Sequence, residues 1–224
     1  MFLELQETEE KQGKKAKKHT VLLDGEVYCR CYPKDLKDAG ISLDAEVSKK
    51  ALQRLEMEIF FPRAKRRSLF LLNKKRYTRK EMVQKLHTDG YPASVTEQTL
   101  SYLESLHYVE DHSYADGYAL SLLTRCSERE LIQKMIQKGF EKDLIVEAIQ
   151  NAKISYREEN DMDAAEAPEV AAIRTYLRKK GISTGMALEE DKKKKLIQSL
   201  YRKGFRFSDI KKVLGEVDGM EEFQ

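Results

Sequence analysis

The sequence has few of the features that mark membrane, secreted or disulfide-stabilised proteins. No apolar run approaches the roughly 20 residues of a transmembrane helix, and the N-terminal MFLELQETEEKQGKK lacks the apolar core of a signal peptide. Trp is absent, and the three cysteines are too few and odd in number for a disulfide framework. They fit a reducing compartment better. We therefore expect a cytoplasmic protein that makes no membrane contact.

Motifs that carry catalysis are missing as well. The sequence contains no glycine-rich phosphate loop, no H-E-x-x-H and no G-x-S-x-G. Cys126 has no expected histidine and aspartate partners that would make it a nucleophile. We therefore expect no enzyme activity and no cofactor. Three of the four histidines fall near expected helix ends, where exposure is a simpler explanation than catalysis: His87, His107 and His112.

A metal site is not expected either. Cys29-x-Cys31 supplies two thiols, and His19 is the only nearby addition. Structural zinc takes four ligands, whereas alternate residues of a strand share one face without any metal.

Charge is abundant but almost balanced. Charged residues make up 35% of the chain and apolar residues 41%, yet the formal net charge is only +3. This composition favours small helical units with much solvated surface over one large globule. An anionic partner would have to meet a local patch, because the chain as a whole is nearly neutral.

One helical sequence pattern occurs three times, and each copy ends in a glycine. Apolar residues stand eight, seven and four positions before Gly90, Gly139 and Gly204, which places them on one stripe of an α-helix. Each glycine is predicted to form a left-handed C-cap. The aromatic residue that follows it is predicted to fold back into the core. The three copies indicate internal repeats, and these aromatic residues are Tyr91, Phe140 and Phe205.

N-caps are predicted both for the helix before each glycine and for the helix after it. The earlier helix opens with a capping box in two copies, Thr78 to Glu81 and Ser127 to Glu130. The later helix has a good N-cap residue four positions after each glycine: Ser94, Asp143 and Ser208.

The spacing of the glycines leaves room for one more helix in each unit, so we predict three helices per repeat. Upstream, HTVLLDGEVYCRCY alternates around Asp24-Gly25, which predicts a hairpin with a type I′ turn. Val27, Cys29 and Cys31 are predicted to share one face of it. The predicted fold is mainly α, a tandem array of three three-helix repeats with a small N-terminal β-hairpin element. Its segments are an N-terminal tail (1–18), the hairpin with a lead-in helix (19–61), repeat 1 (62–110), repeat 2 (111–153), an acidic linker (154–168), repeat 3 (169–217) and a C-terminal tail (218–224).

A basic surface is the best candidate for function. Between residues 63 and 80 the chain carries nine basic residues and no acid. We interpret this stretch as one exposed face that meets an acidic protein surface or phosphates, in preference to a merely solvated helix face. A second basic run in repeat 3 adds to it. The candidate binding residues are Arg63, Lys65, Arg66, Arg67, Lys74, Lys75, Arg76, Arg79, Lys80, Arg202, Lys203 and Arg206.

Paired helices across a glycine turn also occur in helix-turn-helix DNA readers. The second helices here, VTEQTLSYLESL, LIVEAIQNA and SDIKKVLGEV, lack the clusters of Arg, Asn or Gln that read base edges. Sequence-specific reading is therefore not favoured. A helical module that binds DNA without a protein partner remains the alternative function.

The order of these elements resembles the bacterial regulatory protein RecX family. The segment YVEDHSYA fits the family's sequence pattern between its first two repeats, and the residues that match are Tyr108, Asp111, Tyr114 and Ala115. The final KKLIQSLYRKGFRFSDIKKVL is similar to the family's characteristic ending. The resemblance runs from about His19 to Val217. The acidic linker and the insertion GISTGMALEED depart from the family's spacing.

The resemblance implies a non-enzymatic regulator of the RecA recombinase, acting in recombination, DNA repair and the SOS response. Members of this family lodge in the groove of the RecA filament on single-stranded DNA and typically restrain its ATP hydrolysis and strand exchange. The implied partners are the RecA filament and single-stranded or double-stranded DNA, and the chain is expected to be a monomer. A curved array of repeats suits a helical groove, because each repeat alone buries little surface.

Overall fold

A computed structural model describes residues 1–6, 18–42, 45–160, 166–183 and 188–217. The chain divides into two compact units, Met1–Glu110 and Asp111–Gln224. The first unit combines a β-sheet with helices, and the described part of the second is helical. This confirms the predicted mainly α fold with an N-terminal hairpin and three-helix repeats.

The sheet of the first unit is larger than the predicted hairpin. Strands β2 (His19–Leu23) and β3 (Glu26–Cys31) form the hairpin, and both turn residues have positive φ, 52° at Asp24 and 85° at Gly25, as a type I′ turn requires. Strand β1 (Phe2–Gln6) pairs antiparallel with β2 and with β4 (Ala45–Glu46), which gives the order β3-β2-β1-β4. Residues 2–6 therefore belong to the sheet, although the sequence predicted a tail there.

The predicted apolar face of β3 is wrong at Val27. Cys29 and Cys31 are buried, but Val27 is 68% exposed. Val21 pairs with Cys29 and Leu22 with Val27, so Tyr28 is the extra residue of a β-bulge. The bulge shifts the alternation by one position, which leaves Val27 outside. The Tyr28 hydroxyl donates to Glu56 at 2.6 Å.

Helices complete the first unit. After α1 (Pro33–Asp38), α2 (Lys49–Arg54) continues through a π-helical turn (Leu55–Phe60) into α3 (Phe61–Leu72). The predicted boundary after residue 61 therefore falls inside a continuous helical segment. Pro62 stands just beyond the π-helical turn; it has no N–H and its ring crowds the carbonyl four residues earlier, and wider turns of this kind accommodate such a position. Helices α4 (Arg79–Asp89) and α5 (Ala93–Ser105) follow.

The second unit contains two sets of three helices. The first set is α6 (Asp111–Leu123), α7 (Glu128–Lys138) and α8 (Lys142–Glu159), and the second is α9 (Pro168–Lys179), α10 (Glu190–Arg202) and α11 (Phe207–Val217). Helix α8 extends to Glu159, so residues 154–159 are helical and the predicted linker begins too early. Residues 161–165 of that linker and 184–187 of the insertion lie outside the described residues.

The glycine caps and their aromatic residues are confirmed. Gly90, Gly139 and Gly204 have φ of 95°, 94° and 92°. Phe140 and Phe205 are buried, and Tyr91 is partly buried against the core of the first unit.

The predicted caps of the later helices are wrong by two positions. Helix α5 has Pro92 and α8 has Glu141 as N-cap, and α11 begins at Phe207. Ser94, Asp143 and Ser208 are each the second residue of the helix. On the earlier helices, Thr78 and Glu81 form the full capping box, whereas Ser127 caps α7 and Glu130 instead pairs with Lys134 at 2.8 Å.

Two of the glycine turns touch a neighbouring element closely. A Cβ on Gly90 would lie 2.5 Å from the Cβ of Arg30 in β3, and the Arg30 N–H donates to the Gly90 carbonyl at 2.8 Å. In the second unit, a Cβ on Gly204 would lie 2.8 Å from the Cβ of Arg129 in α7. Ser127 also donates to the carbonyl of Lys203 at 2.5 Å. These turns therefore need glycine for space as well as for backbone conformation.

Candidate binding surface

The basic stretch of residues 63–80 spans α3, the following turn and the start of α4. Two of its arginines pair with acids from other parts of the first unit. Arg63 contacts Asp35 of α1 at 2.7 Å, and Arg67 contacts Asp89 at the end of α4, also at 2.7 Å. The Asp35 side chain is only 3% exposed, whereas 39% of the Arg63 side chain faces water.

A third arginine is paired twice. Arg79 lies 2.5 Å from Glu97 and 3.0 Å from Glu104, both on α5. The hydrogen bond to Glu97 raises the pKa of Arg79. Residues 63–80 include no acidic residue, but the fold brings four carboxylates from elsewhere in the first unit into contact with this stretch. The inference that its charge lacks compensation is therefore wrong for Arg63, Arg67 and Arg79.

Three lysines of the stretch lie over aromatic rings. The Nζ of Lys65 is 4.0 Å from the ring centre of Tyr102, that of Lys74 is 4.3 Å from Phe70, and that of Lys75 is 4.5 Å from Tyr77. Such contacts hold the aliphatic stem against apolar surface and keep the ammonium group near water.

The basic side chains do not share one face of α3. Arg63 and Arg67 are four residues apart and point toward Asp35 and Asp89, whereas Lys65 turns to α5. The exposed members lie on α3, on the turn after it and on the first turn of α4, and one of them, Lys74, lies over the half-exposed ring of Phe70. We call this exposed group the α3–α4 basic surface; it consists of Arg66, Lys74, Lys75, Arg76 and Lys80.

The other predicted bases lie in the second unit. Lys203 is 3.8 Å from Glu130, and Arg206 is 3.7 Å from Glu169. Arg202 is exposed at the last turn of α10. Glu169 has a raised pKa, first because it is buried and then because its protonated form donates a hydrogen bond to the Asp209 carboxylate. Two of the three predicted bases are thus engaged within their own unit.

Sequence reasoning missed an exposed apolar groove in the second unit. The groove lies between α7 and α8 and has a volume of about 330 Å³. Ile136 and Val146 line it although they are 49% and 62% exposed, and the buried Ile145 and Ile149 form its floor. Lys142 also lines it. The alignment of the repeats could have found this groove, had the exposed positions been compared as well as the buried ones.

The cysteines are structural in their surroundings. Cys29, Cys31 and Cys126 are free and buried. The neighbouring thiol of Cys31 raises the pKa of Cys29, and burial raises that of Cys126. High thiol pKa values oppose the thiolate form that nucleophiles and metal ligands need. Within the described residues, no group of three or more His, Cys, Asp or Glu side chains could hold a metal ion.

The helices in the described part of the chain do not combine the length and hydropathy that a membrane span requires.

Comparison with known protein families gives two matches. Residues 64–103 match a family model described as RecX, first three-helix domain, and residues 168–214 match one described as RecX, third three-helix domain. Relatives named Regulatory protein RecX align along most of the chain. The chain is similar to the RecX family along most of its length, and two of its three-helix units match that family's models.

The RecX relatives share about a quarter of their residues with this chain. The protein of Caldanaerobacter subterraneus subsp. tengcongensis is 25% identical over 201 residues, which cover 89% of this chain and 93% of the relative. That of Clostridium acetobutylicum is 25% identical over 211 residues, covering 93% and 94%.

Solved RecX structures share the fold at lower identity. One described as regulatory protein RecX has a TM-score of 0.54 at 19% identity and covers 96% of this chain and 100% of its own. RecX from Lactobacillus salivarius has a TM-score of 0.50 at 19% identity, covering 70% and 96%. The homologues are regulatory proteins by name.

Proposed function

We propose that this chain binds the RecA filament assembled on single-stranded DNA and restrains its ATP hydrolysis and strand exchange, without being an enzyme itself. The observation that carries the proposal is similarity along most of the chain to relatives that are named as regulators. The partner and the direction of the effect follow from the resemblance described above. We place the activity in the cytoplasm and expect the chain to act as a monomer.

The α3–α4 basic surface supports a partner that is acidic. Five exposed cations lie there in the first unit, and one of them, Lys74, lies over the exposed ring of Phe70. Cations and an exposed ring suit phosphates and bases of single-stranded DNA as well as carboxylates of a protein. Arg63, Arg67 and Arg79 are better explained as internal ion pairs, so we leave them out of the proposed contact surface.

The test is the rate of ATP hydrolysis by pre-formed RecA filaments with and without this protein. A rate that falls as the protein is added, and saturates at a fixed ratio to RecA, supports the proposal. An unchanged rate, together with no co-sedimentation with filaments, contradicts it.

Binding to bare DNA distinguishes the alternative function. A filament regulator should bind assembled RecA much more tightly than naked single-stranded or double-stranded DNA. A protein that holds naked DNA equally well, and leaves filaments unaffected, would be a DNA-binding module that acts without RecA.

A further inference from the structure

The groove between α7 and α8 occupies a defined position in its repeat. Counted from Gly139, Ile136 stands three residues before, and Lys142 and Val146 stand three and seven residues after. More than a third of the Ile136 and Val146 side chains faces water, whereas Ile145 and Ile149 beside them are buried. Exposed aliphatic side chains around a groove are the ordinary mark of a surface that another molecule covers.

The third repeat places apolar side chains at equivalent positions. Counted from Gly204, Tyr201 stands three residues before, and Phe207 and Lys211 stand three and seven residues after. Tyr201 is 65% exposed and Phe207 49% exposed. The Lys211 ammonium lies 5.1 Å from the Phe207 ring centre. Both repeats therefore present two exposed apolar side chains and one lysine. The lysine stands three residues after the glycine in repeat 2 and seven residues after it in repeat 3, and an apolar residue takes the other position.

The first repeat fills these positions differently. Its equivalents are His87, Ala93 and Glu97, counted from Gly90. Glu97 on α5 is bridged to Arg79 on α4 at 2.5 Å, so an ion pair joins the two helices at this position. Val146 takes the place of Glu97 in the second repeat and Lys211 takes it in the third. The apolar–lysine surface is thus a property of repeats 2 and 3 and not of the three-helix fold itself.

We propose that these two equivalent surfaces bind the same apolar segment twice, from two successive subunits of one repeating assembly. The lysine at each surface fits a carboxylate beside that apolar segment, by charge complementarity. Two matching sites on one compact unit require a partner that offers two copies of one motif. This inference rests on the proposed function, because a recombinase filament is such an assembly. It adds that repeats 2 and 3 carry the apolar contacts and that repeat 1 does not.

The experiment measures the dissociation constant for RecA filaments on single-stranded DNA by co-sedimentation, using the full chain. One double variant alters the second repeat, Ile136→Gln with Val146→Gln, and another the third, Tyr201→Gln with Phe207→Gln. The matched control alters the equivalent positions of the first repeat, His87→Gln with Ala93→Gln. All six side chains are exposed, so the thermal unfolding temperature should stay close to that of the wild type.

The double variant of repeat 2 and that of repeat 3 should each bind about tenfold more weakly than the wild type. The variant that combines all four substitutions should bind about a hundredfold more weakly, because the free energies of separated contact sites add. The control should stay within about twofold of the wild type, as expected for surface changes outside a contact. Lys142→Glu with Lys211→Glu should also weaken binding, because the partner's carboxylate would then face a like charge.

Several outcomes would overturn the inference. If the wild type binds filaments and the double variants of repeats 2 and 3 bind equally well, the two surfaces are not the contact, while the proposed function stands. A loss confined to one repeat would contradict the two-copy partner. If the wild type is a dimer by light scattering and these double variants are monomers, the occupant is a second copy of this chain. Failure of the wild type itself to bind filaments would refute the proposed function and this inference with it.

Discussion

Replacing Gly90 by alanine separates two reasons for a glycine at a helix end. Gly90 has a φ of 95°, and its missing Cβ would lie 2.5 Å from the Cβ, 2.9 Å from the carbonyl oxygen and 3.1 Å from the Cα of Arg30. Those neighbours include backbone atoms of β3, which cannot rotate away. Gly40, in the same unit, has a φ of 74° and nothing within 4 Å of its missing Cβ. Gly40→Ala is therefore the matched control.

The magnitudes follow from the two effects. Either alanine should lose about 1–2 kcal/mol of unfolding free energy, because an L-residue is strained in the left-handed region. Gly90→Ala should lose about 1–3 kcal/mol more, since the strand and the helix end must move apart to admit the methyl group. That movement would also lengthen the 2.8 Å hydrogen bond from the Arg30 N–H to the Gly90 carbonyl.

Urea unfolding followed by far-ultraviolet circular dichroism measures both variants against the wild type. We expect the midpoint of Gly90→Ala to fall clearly below that of Gly40→Ala. Equal losses would mean that the close approach of β3 contributes nothing, and the packing of this turn against the sheet would have to be rejected.

Three further predictions concern packing, charge and binding. Phe140→Ala should lower the free energy of unfolding by about 3 kcal/mol or more, because a cavity replaces a ring packed against Tyr114 and Tyr118; a loss below about 1 kcal/mol would contradict the burial of Phe140. Glu169→Gln should stabilise the chain at neutral pH, since burial, Asp209 and the charge of Glu128 raise the Glu169 pKa against the opposing Arg206. Because the raised pKa favours the protonated carboxyl in the folded state, Glu169 stabilises the fold fully below its ordinary pKa, and this stabilisation is lost as pH rises through the raised pKa. Denaturant midpoints measured between pH 4 and 8 should show this pH dependence in the wild type and not in Glu169→Gln. Replacing Arg66, Lys74, Lys75 and Lys80 by Glu should weaken filament binding and flatten its salt dependence, and equal binding at all salt concentrations would leave this surface merely solvated.

Local patterns in the sequence were sufficient for the glycine-capped C-terminal ends of helices and for the aromatic core. The left-handed glycines follow from the apolar stripe that stops before them, and Phe140 and Phe205 follow from the same register. The N-caps were displaced because a good capping residue also tolerates the second position of a helix, and Pro92 or Glu141 takes the cap instead. In these cases the chemistry that decides the structure lies within a few residues along the chain.

The features that escaped prediction depend on residues far apart in sequence. Strand β1 pairs with β2 and β4 across a long separation, and five residues of alternating character do not show this pairing. The bulge at Tyr28 is set by the partner strand and by the bond to Glu56. Arg63 and Arg67 find their acids only when the chain has folded. The exposed groove was missed because exposure, unlike periodicity, needs the neighbouring helix.

The close contacts at Gly90 and Gly204 bear on how such a chain could grow. In the second unit, an arginine at the start of α7 covers the glycine turn of the repeat that follows it. In the first unit, an arginine of β3 covers the glycine turn of repeat 1. The sheet thus does for the first repeat what a preceding repeat does for the last. Gene duplication could add a further repeat behind the last one, provided that the repeat before it keeps a side chain that covers the new glycine turn.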